Sequence, residues 1–294
     1  MAMSPRLLRP IASGVHPEAA DWRARVIANG GTVSGSTLQA VSRFCASISA
    51  AGIRDRFARL SLFCGDNLNA ALVPLYRSFT FGGTVLGNTV DQSLGSPSFV
   101  GVGTDYAETG AGGGLTGNGT SKYLNTGLSV SDIGTFTSGH LSVYHGQSSG
   151  TNVNRYYIAA NDATLSNRFF LGTDAFNTAQ VTAIYGATLI ANESLAAQGH
   201  GAAGHRILSR ASATLLTHYH NGSVVATNTT DVTGGGSLST AAFPVFALNS
   251  NGTISRFHNS WIAAYSIGLG LDGTQAAAYR TAMQAFQAAL GRNV

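Results

Sequence analysis

The stretch LLTHYHNGSVVAT, running from Leu215 to Thr227, decides the fold. Two short runs of β-forming residues flank Asn221-Gly222, and an Asn-Gly pair accepts positive φ at both positions at little cost. That combination predicts a tight antiparallel hairpin. A second pair, Asn251-Gly252, separates Val245–Asn249 from Ile254–His258 in the same way. Further out, His140–Tyr144, Arg155–Ala159, Arg168–Leu171, Thr182–Tyr185 and Pro244–Leu248 are short, rich in β-branched and aromatic residues, and bounded by Gly, Asn, Ser and Asp. No helical pattern intervenes between them. Many short strands with regular turn signals predict a mainly β chain, an antiparallel two-sheet sandwich or jelly roll over residues 76–271. Phe246, Phe257, Trp261, Ile262 and Tyr265 lie in its late strands and are its expected core.

The periodicity changes on both sides of this region. Upstream, Pro17 and Glu18 open a segment with Trp22 and Val26 at i,i+4 that stops at Asn29-Gly30, the pattern of a short capped helix. Ser34 or Ser36 caps a second helix, with Leu38, Val41, Cys45 and Ile48 on one face and Gly52 at its end. A third short helix or turn is expected to carry Ile53, Phe57 and Leu60. Downstream, Asp272 or Thr274 caps a helix whose apolar stripe is Tyr279, Met283, Phe286 and Leu290, ended by Gly291. The expected organisation is an arm (1–16), a helical element (17–75), the sandwich (76–271) and a C-terminal helix (272–294).

Charge is scarce and uneven. Charged residues are 10% of the chain against about 25% in an ordinary soluble domain. Residues 1–77 hold nine arginines and four acidic groups, while the remaining residues are nearly neutral. A basic N-terminal part suits a negatively charged partner surface. The arginines are neither clustered nor interleaved with aromatics, so a specific nucleic-acid platform is not expected. No run of about 18 apolar residues predicts a membrane-spanning helix, and no apolar stretch follows Arg6 and Arg9 as in a signal peptide. Synthesis and assembly in a cytoplasm, with Cys45 and Cys64 reduced and packed, is the corresponding expectation.

Chemistry-bearing residues are few. Glu108 and Glu193 are isolated, and Asp105 with Glu108 has the wrong parity for paired carboxylates on one strand. No strand-to-helix Gly-x-Ser-x-Gly turn occurs, and Gly110–Gly114 is not followed by a helix, so it is no phosphate loop. His218 and His220 share one face of a strand, with His200 and His205 nearby, and Asp162 with Asp174 are loop carboxylates. Both sets lack the companions that a metal shell needs. The reading is therefore no cofactor, no metal and no catalytic residue.

Three segments carry a resemblance: Leu115–Gly127, Tyr219–Gly222, and Ile254–Ile267 ahead of the terminal helix. Together they resemble the concanavalin A-like (laminin G-like) sandwich, in particular the versions found in virion structural proteins of tailed bacteriophages. Arg59–Leu75 is similar to the piece that precedes such sandwiches, so the resemblance spans residues 17–294. It implies a non-enzymatic virion protein, a capsid decoration or a tail- or fibre-associated protein, displaying a lectin-like domain. The implied partners are other virion proteins, further copies of the chain, and a host-surface glycan. The acidic calcium and sugar ligands of legume lectins are not matched. Arg6, Arg9, Arg23 and Arg25 are the expected particle-attachment residues. A carbohydrate-binding adhesin module is the alternative, and a glycan hydrolase the third possibility, since fold by itself is no evidence of activity.

Overall fold

The computed structural model describes residues 14–135, 137–146, 155–162, 168–173, 180–184, 202–233 and 238–294. Helices α1 (Pro17–Ala28) and α2 (Gly35–Ala50) are followed by a 3-10 turn (Arg54–Arg56), strand β1 (Phe57–Ser61) and a single helical turn, α3 (Leu68–Ala71). Next come β2 (Gln92–Leu94), β3 (Tyr106–Ala107), β4 (Gly114–Thr116), β5 (Tyr123–Ser129), α4 (Val130–Ile133), β6 (Gly139–His145), β7 (Arg155–Asn161), β8 (Arg168–Thr173) and β9 (Gln180–Ile184). The remainder comprises β10 (Gly204–Ser212), β11 (Leu215–His220), β12 (Ser223–Asn228), β13 (Ala242–Val245), β14 (Leu248–Ser250), β15 (Thr253–Ser255), β16 (Trp261–Gly268) and α5 (Gly273–Ala289).

Local chemistry explains the ends of these elements. The Ser34 hydroxyl accepts from the Thr37 N–H at the start of α2, and Asp272 with Gln275 forms a reciprocal capping box on α5. Asn221-Gly222 and Asn251-Gly252 join β11 to β12 and β14 to β15, with φ of 50° and 87° in the first pair and 47° and 96° in the second. Positive φ at all four positions is what two-residue hairpins require.

The strands form two sheets. Sheet A runs β12-β11-β10-β6-β16-β4-β3, with β1 also paired to β16. Sheet B runs β15-β14-β7-β13-β5-β2, with β8 and β9 continuing beyond β7. Leu141, Val143, Leu208 and Ile267 from sheet A meet Leu124, Ile158, Leu171 and Val245 from sheet B in the inter-sheet core. The opposite face of sheet A carries Ile207, Tyr219 and Ala264, and on it α1, α2 and α5 lay down Trp22, Phe44, Tyr279, Met283 and Phe286. The chain is thus a mainly β two-sheet sandwich with a helical layer on one face. The C-terminus is pinned by Arg292, whose guanidinium donates to the carbonyls of Phe63 and Leu62 at 2.9 and 3.0 Å.

Four local expectations are corrected. Phe57–Ser61 is a strand rather than a helix or turn. All five residues are buried, because the inter-sheet core lies on one side and the helical layer on the other, and such burial erases the alternation that marks a half-exposed strand. The expected strand Pro244–Leu248 is broken at Phe246, where φ is 72°; the chain then re-enters sheet B as β14, which pairs with β7 in parallel. Among the described strands this parallel pair stands out against antiparallel neighbours. Of the expected core, Phe246, Ile262 and Tyr265 are fully buried, but Phe257 sits in the loop after β15 and is only partly buried. Trp261 is also partly buried, at the start of β16, in space left by the missing side chain of Gly146.

Candidate functional site

Two adjoining cavities of about 230 and 260 Å³ open along α1, between that helix and the segment leading into the sandwich. Arg25 and Arg77 line both and form the wall that the two cavities share. At one end the turn Thr80–Gly83 presents Phe81, 57% exposed, with Gly82 at φ 74° supplying the conformation the turn needs.

The turn is held from behind. The Arg54 guanidinium donates to the carbonyls of Ser78 and Phe79 at 2.9 and 3.2 Å, stacks 3.8 Å over the ring of Tyr76, and is clamped by Glu18 Oε1 at 2.5 Å. Ser78 Oγ donates to the Thr80 carbonyl at 2.6 Å. These bonds join α1, the 3-10 turn and the Phe81 turn into one rigid wall, which presets the aromatic ring.

Further along α1 the wall carries charge. Arg25 donates to Asp21 at 2.8 Å and to the carbonyls of Pro74 and Leu75 at 2.6 and 2.9 Å. Burial holds its guanidinium below the ordinary value; Asp21 opposes that effect and the like charge of Arg77 adds to it. Arg77 makes no side-chain hydrogen bond or ion pair among the described residues and is half-buried at the junction of the two cavities. A half-exposed aromatic, an unengaged guanidinium and the partly exposed Asp21 carboxylate thus face one concave surface.

The expected attachment residues separate. Arg6 and Arg9 lie outside the described residues. Arg23 is exposed on α1 and unpaired among the described residues, whereas Arg25 is bonded into the cleft wall. Sequence reasoning missed Arg77, Phe81 and Arg54; the available signal was the Phe81-Gly82-Gly83 turn, and nothing local announced Arg54.

The histidines divide between the two faces of sheet A. His218 and His220 share a face with Leu216, as their spacing predicts, and both are buried. His205 lies on the helical side, its Nε2 at 2.8 Å from Ser142 Oγ and its ring against Tyr279, so it cannot join them. Burial, then the charge of Arg206, lowers His220 to about 4. His200, Asp174 and Glu193 lie outside the described residues. The other carboxylates are engaged structurally: Asp105 pairs with Lys122 at 2.5 Å, and Glu108 Oε1 accepts from Thr37 Oγ1 and the Gly65 N–H at 2.7 Å each. Both cysteines are buried free thiols, and burial pushes Cys45 up to about 12. Among the described residues, no helix is long and apolar enough to cross a membrane.

No protein-family description matches the chain, and no curated protein does. Similar solved structures are a botulinum neurotoxin type C structure concerned with cell entry through two ganglioside molecules (12% identity, TM-score 0.48, 80% of this chain and 53% of that one) and the NanB sialidase of Streptococcus pneumoniae (13%, 0.40, 56% and 27%). A third is domain 4 of AbnA, an extracellular arabinanase from Geobacillus stearothermophilus, in complex with arabinotriose (15%, 0.48, 76% and 98%). The chain spans about a quarter of the sialidase and half of the neurotoxin structure. With identities of 12% to 15% and TM-scores of 0.40 to 0.48, these likenesses carry no residue role and no activity over to this chain.

Proposed function

We propose that the protein is a non-enzymatic carbohydrate-binding module whose site is the α1 cleft. The observation that carries this reading is the half-exposed Phe81 ring beside the unengaged Arg77 and the Asp21 carboxylate. A sugar ring has an apolar C–H face that packs on an aromatic ring and hydroxyls that pair with guanidinium and carboxylate groups, so this set fits a saccharide edge. The bonded frame behind Phe81 supports it by lowering the ordering cost of binding. The non-enzymatic part is supported by Glu18, Asp91, Asp105 and Glu108, each tied to a structural partner rather than paired as an acid and base.

A glycan array probed with the intact chain, followed by titration of the best binder, tests the reading. Phe81→Ala and Arg77→Ala should each weaken binding about 10-fold or more. Absence of any glycan binder, or unchanged affinity in both variants, would remove the cleft from consideration.

A second reading places the same module on a virion, attached to other virion proteins through its basic N-terminal part. The resemblance to phage virion proteins supports it, as do the exposed side chains of Arg23 and Arg43, which are unpaired among the described residues. Co-sedimentation with particles should weaken on deletion of residues 1–13 and in Arg23→Glu, with strong salt dependence. Salt-independent association of both variants at full occupancy would reject it.

A further inference from the structure

His16, Glu18 and Cys45 come together where α1 begins against the middle of α2. One ligand atom from each lies within 4.8 Å of the others. Glu18 and Cys45 are buried, and His16 is half-buried. An independent observation points into this cluster: Glu18 Oε2 is buried with no hydrogen-bond partner, although the residue is only 5% exposed. A buried carboxylate oxygen left unpaired is costly, and a cation is one of the few partners that satisfies it.

We propose that His16, Glu18 and Cys45 form a zinc-class metal site that clamps the start of α1 to α2. Imidazole nitrogen, carboxylate oxygen and thiolate sulfur are the three donor types that zinc accepts, and their mixture favours it over the oxygen-seeking magnesium and calcium. Two neighbours already hold the ligands as outer-shell partners do. Arg54 occupies Glu18 Oε1, which leaves Oε2 for the metal, and Ser49 Oγ lies 3.3 Å from His16 Nε2, where it accepts from Nε2–H and leaves Nδ1 for the metal. Nδ1 has only a 3.3 Å contact with the Glu18 N–H to give up. Binding replaces the Cys45 thiol proton, which leaves to solvent, so a divalent ion meets one carboxylate and one thiolate and the three-ligand centre is neutral. Three protein ligands leave a fourth position for water.

The test uses the full chain, stripped with a chelator and titrated with zinc against a chromophoric competitor, then with cobalt(II) followed by absorption. One zinc per chain and a near-ultraviolet sulfur-to-cobalt band are expected. Cys45→Ser should abolish the band, His16→Gln should weaken zinc binding by about 100-fold or more, and Ser49→Ala by about 10-fold. Cys64→Ala should leave all three readouts unchanged. His16 and Ser49 are not core residues, so those variants report even where Cys45→Ser unfolds. Lack of stoichiometric zinc binding, survival of the band in Cys45→Ser, or its loss in Cys64→Ala would overturn the site. None of these readouts involves a glycan, so the outcome is independent of the carbohydrate reading.

Discussion

Sheet A has two buried faces that treat polar groups differently. On the inter-sheet face, Arg59 and Asp91 form a 2.6 Å ion pair with both side chains wholly inaccessible, and the Tyr265 hydroxyl joins it at 2.8 and 2.7 Å from the two Asp91 oxygens. Burial alone would depress the Arg59 guanidinium, but Asp91 and Tyr265 more than reverse that and keep it charged. On the helical face, burial keeps the histidines His140 and His205 neutral. His140 sits between the Leu269 carbonyl at 2.7 Å and Ser266 Oγ at 2.9 Å, beside the rings of Phe57 and Tyr279. The irregular segment between α3 and β2 supplies backbone carbonyls and a fixed carboxylate, as Leu86, Asn88 and Asp91 do for Arg59, and so this side can hold a charge. At His140 the surroundings offer one carbonyl, one hydroxyl and aromatic rings, so a charge there would stand uncompensated, whereas Arg292 at the end of α5 has the carbonyls of Phe63 and Leu62.

The largest effect should come from breaking the charged pair. Arg59→Met leaves Asp91 buried and alone, at a cost of about 3 to 5 kcal/mol in urea unfolding. Arg59→Met combined with Asp91→Leu should recover part of that loss. A cost below about 1 kcal/mol for the single variant would erase the contrast between the faces. On the helical face, Met283→Ala opens a cavity between α5 and sheet A and should cost about 2 to 4 kcal/mol, measured the same way. A negligible cost would show that the helical layer is only loosely docked.

Acid should act through the neutral histidines. Burial lowers His140 to about 4, and the same effect dominates in His205 and His258, each at about 3. Their folded values lie below the unfolded value near 6.5, so the unfolded chain binds more protons beneath that pH. Stability should be intact above about pH 6.5 and fall towards pH 4, with His140 alone accounting for about 2 kcal/mol at pH 5. Chemical denaturation at stepped pH measures the slope, and His140→Gln should flatten it; an identical slope in that variant would mean that His140 titrates normally. A smaller effect, about 1 to 2 kcal/mol, is expected for Asn251→Val, which forces a β-branched residue to φ near 47°. The smallest is Val224→Thr, 59% exposed on the edge strand β12, which should shift unfolding by no more than about 0.5 kcal/mol.

Legibility in the sequence tracked burial and distance. On strand β5 burial alternates residue by residue from Tyr123 to Leu128, as the period-2 reading assumes. β1 is covered on both faces, shows no alternation, and read as helix or turn. Phe246 was rightly placed in the core, yet its positive φ and the parallel return of β14 were invisible, because an aromatic residue has no local preference for that conformation. The candidate site was the least legible part. Arg25 counted as free positive charge, but its guanidinium is bonded to carbonyls 49 and 50 residues away.

The sequence by itself determined the features whose cause lies within a few residues: the two Asn-Gly hairpins, the Ser34 and Asp272 caps, and the apolar stripe of α5. Each follows from the φ preference, side-chain reach or 3.6-residue spacing of neighbouring residues. Tertiary structure decided the rest. It made β1 a strand of sheet A, put His205 on the opposite face from His218 and His220, set Arg77 and Phe81 on one cleft, and brought Cys45 to His16 and Glu18. Those outcomes depend on which distant segments pack together, and that is settled by burying the apolar faces of the whole chain at once rather than by any short run of residues.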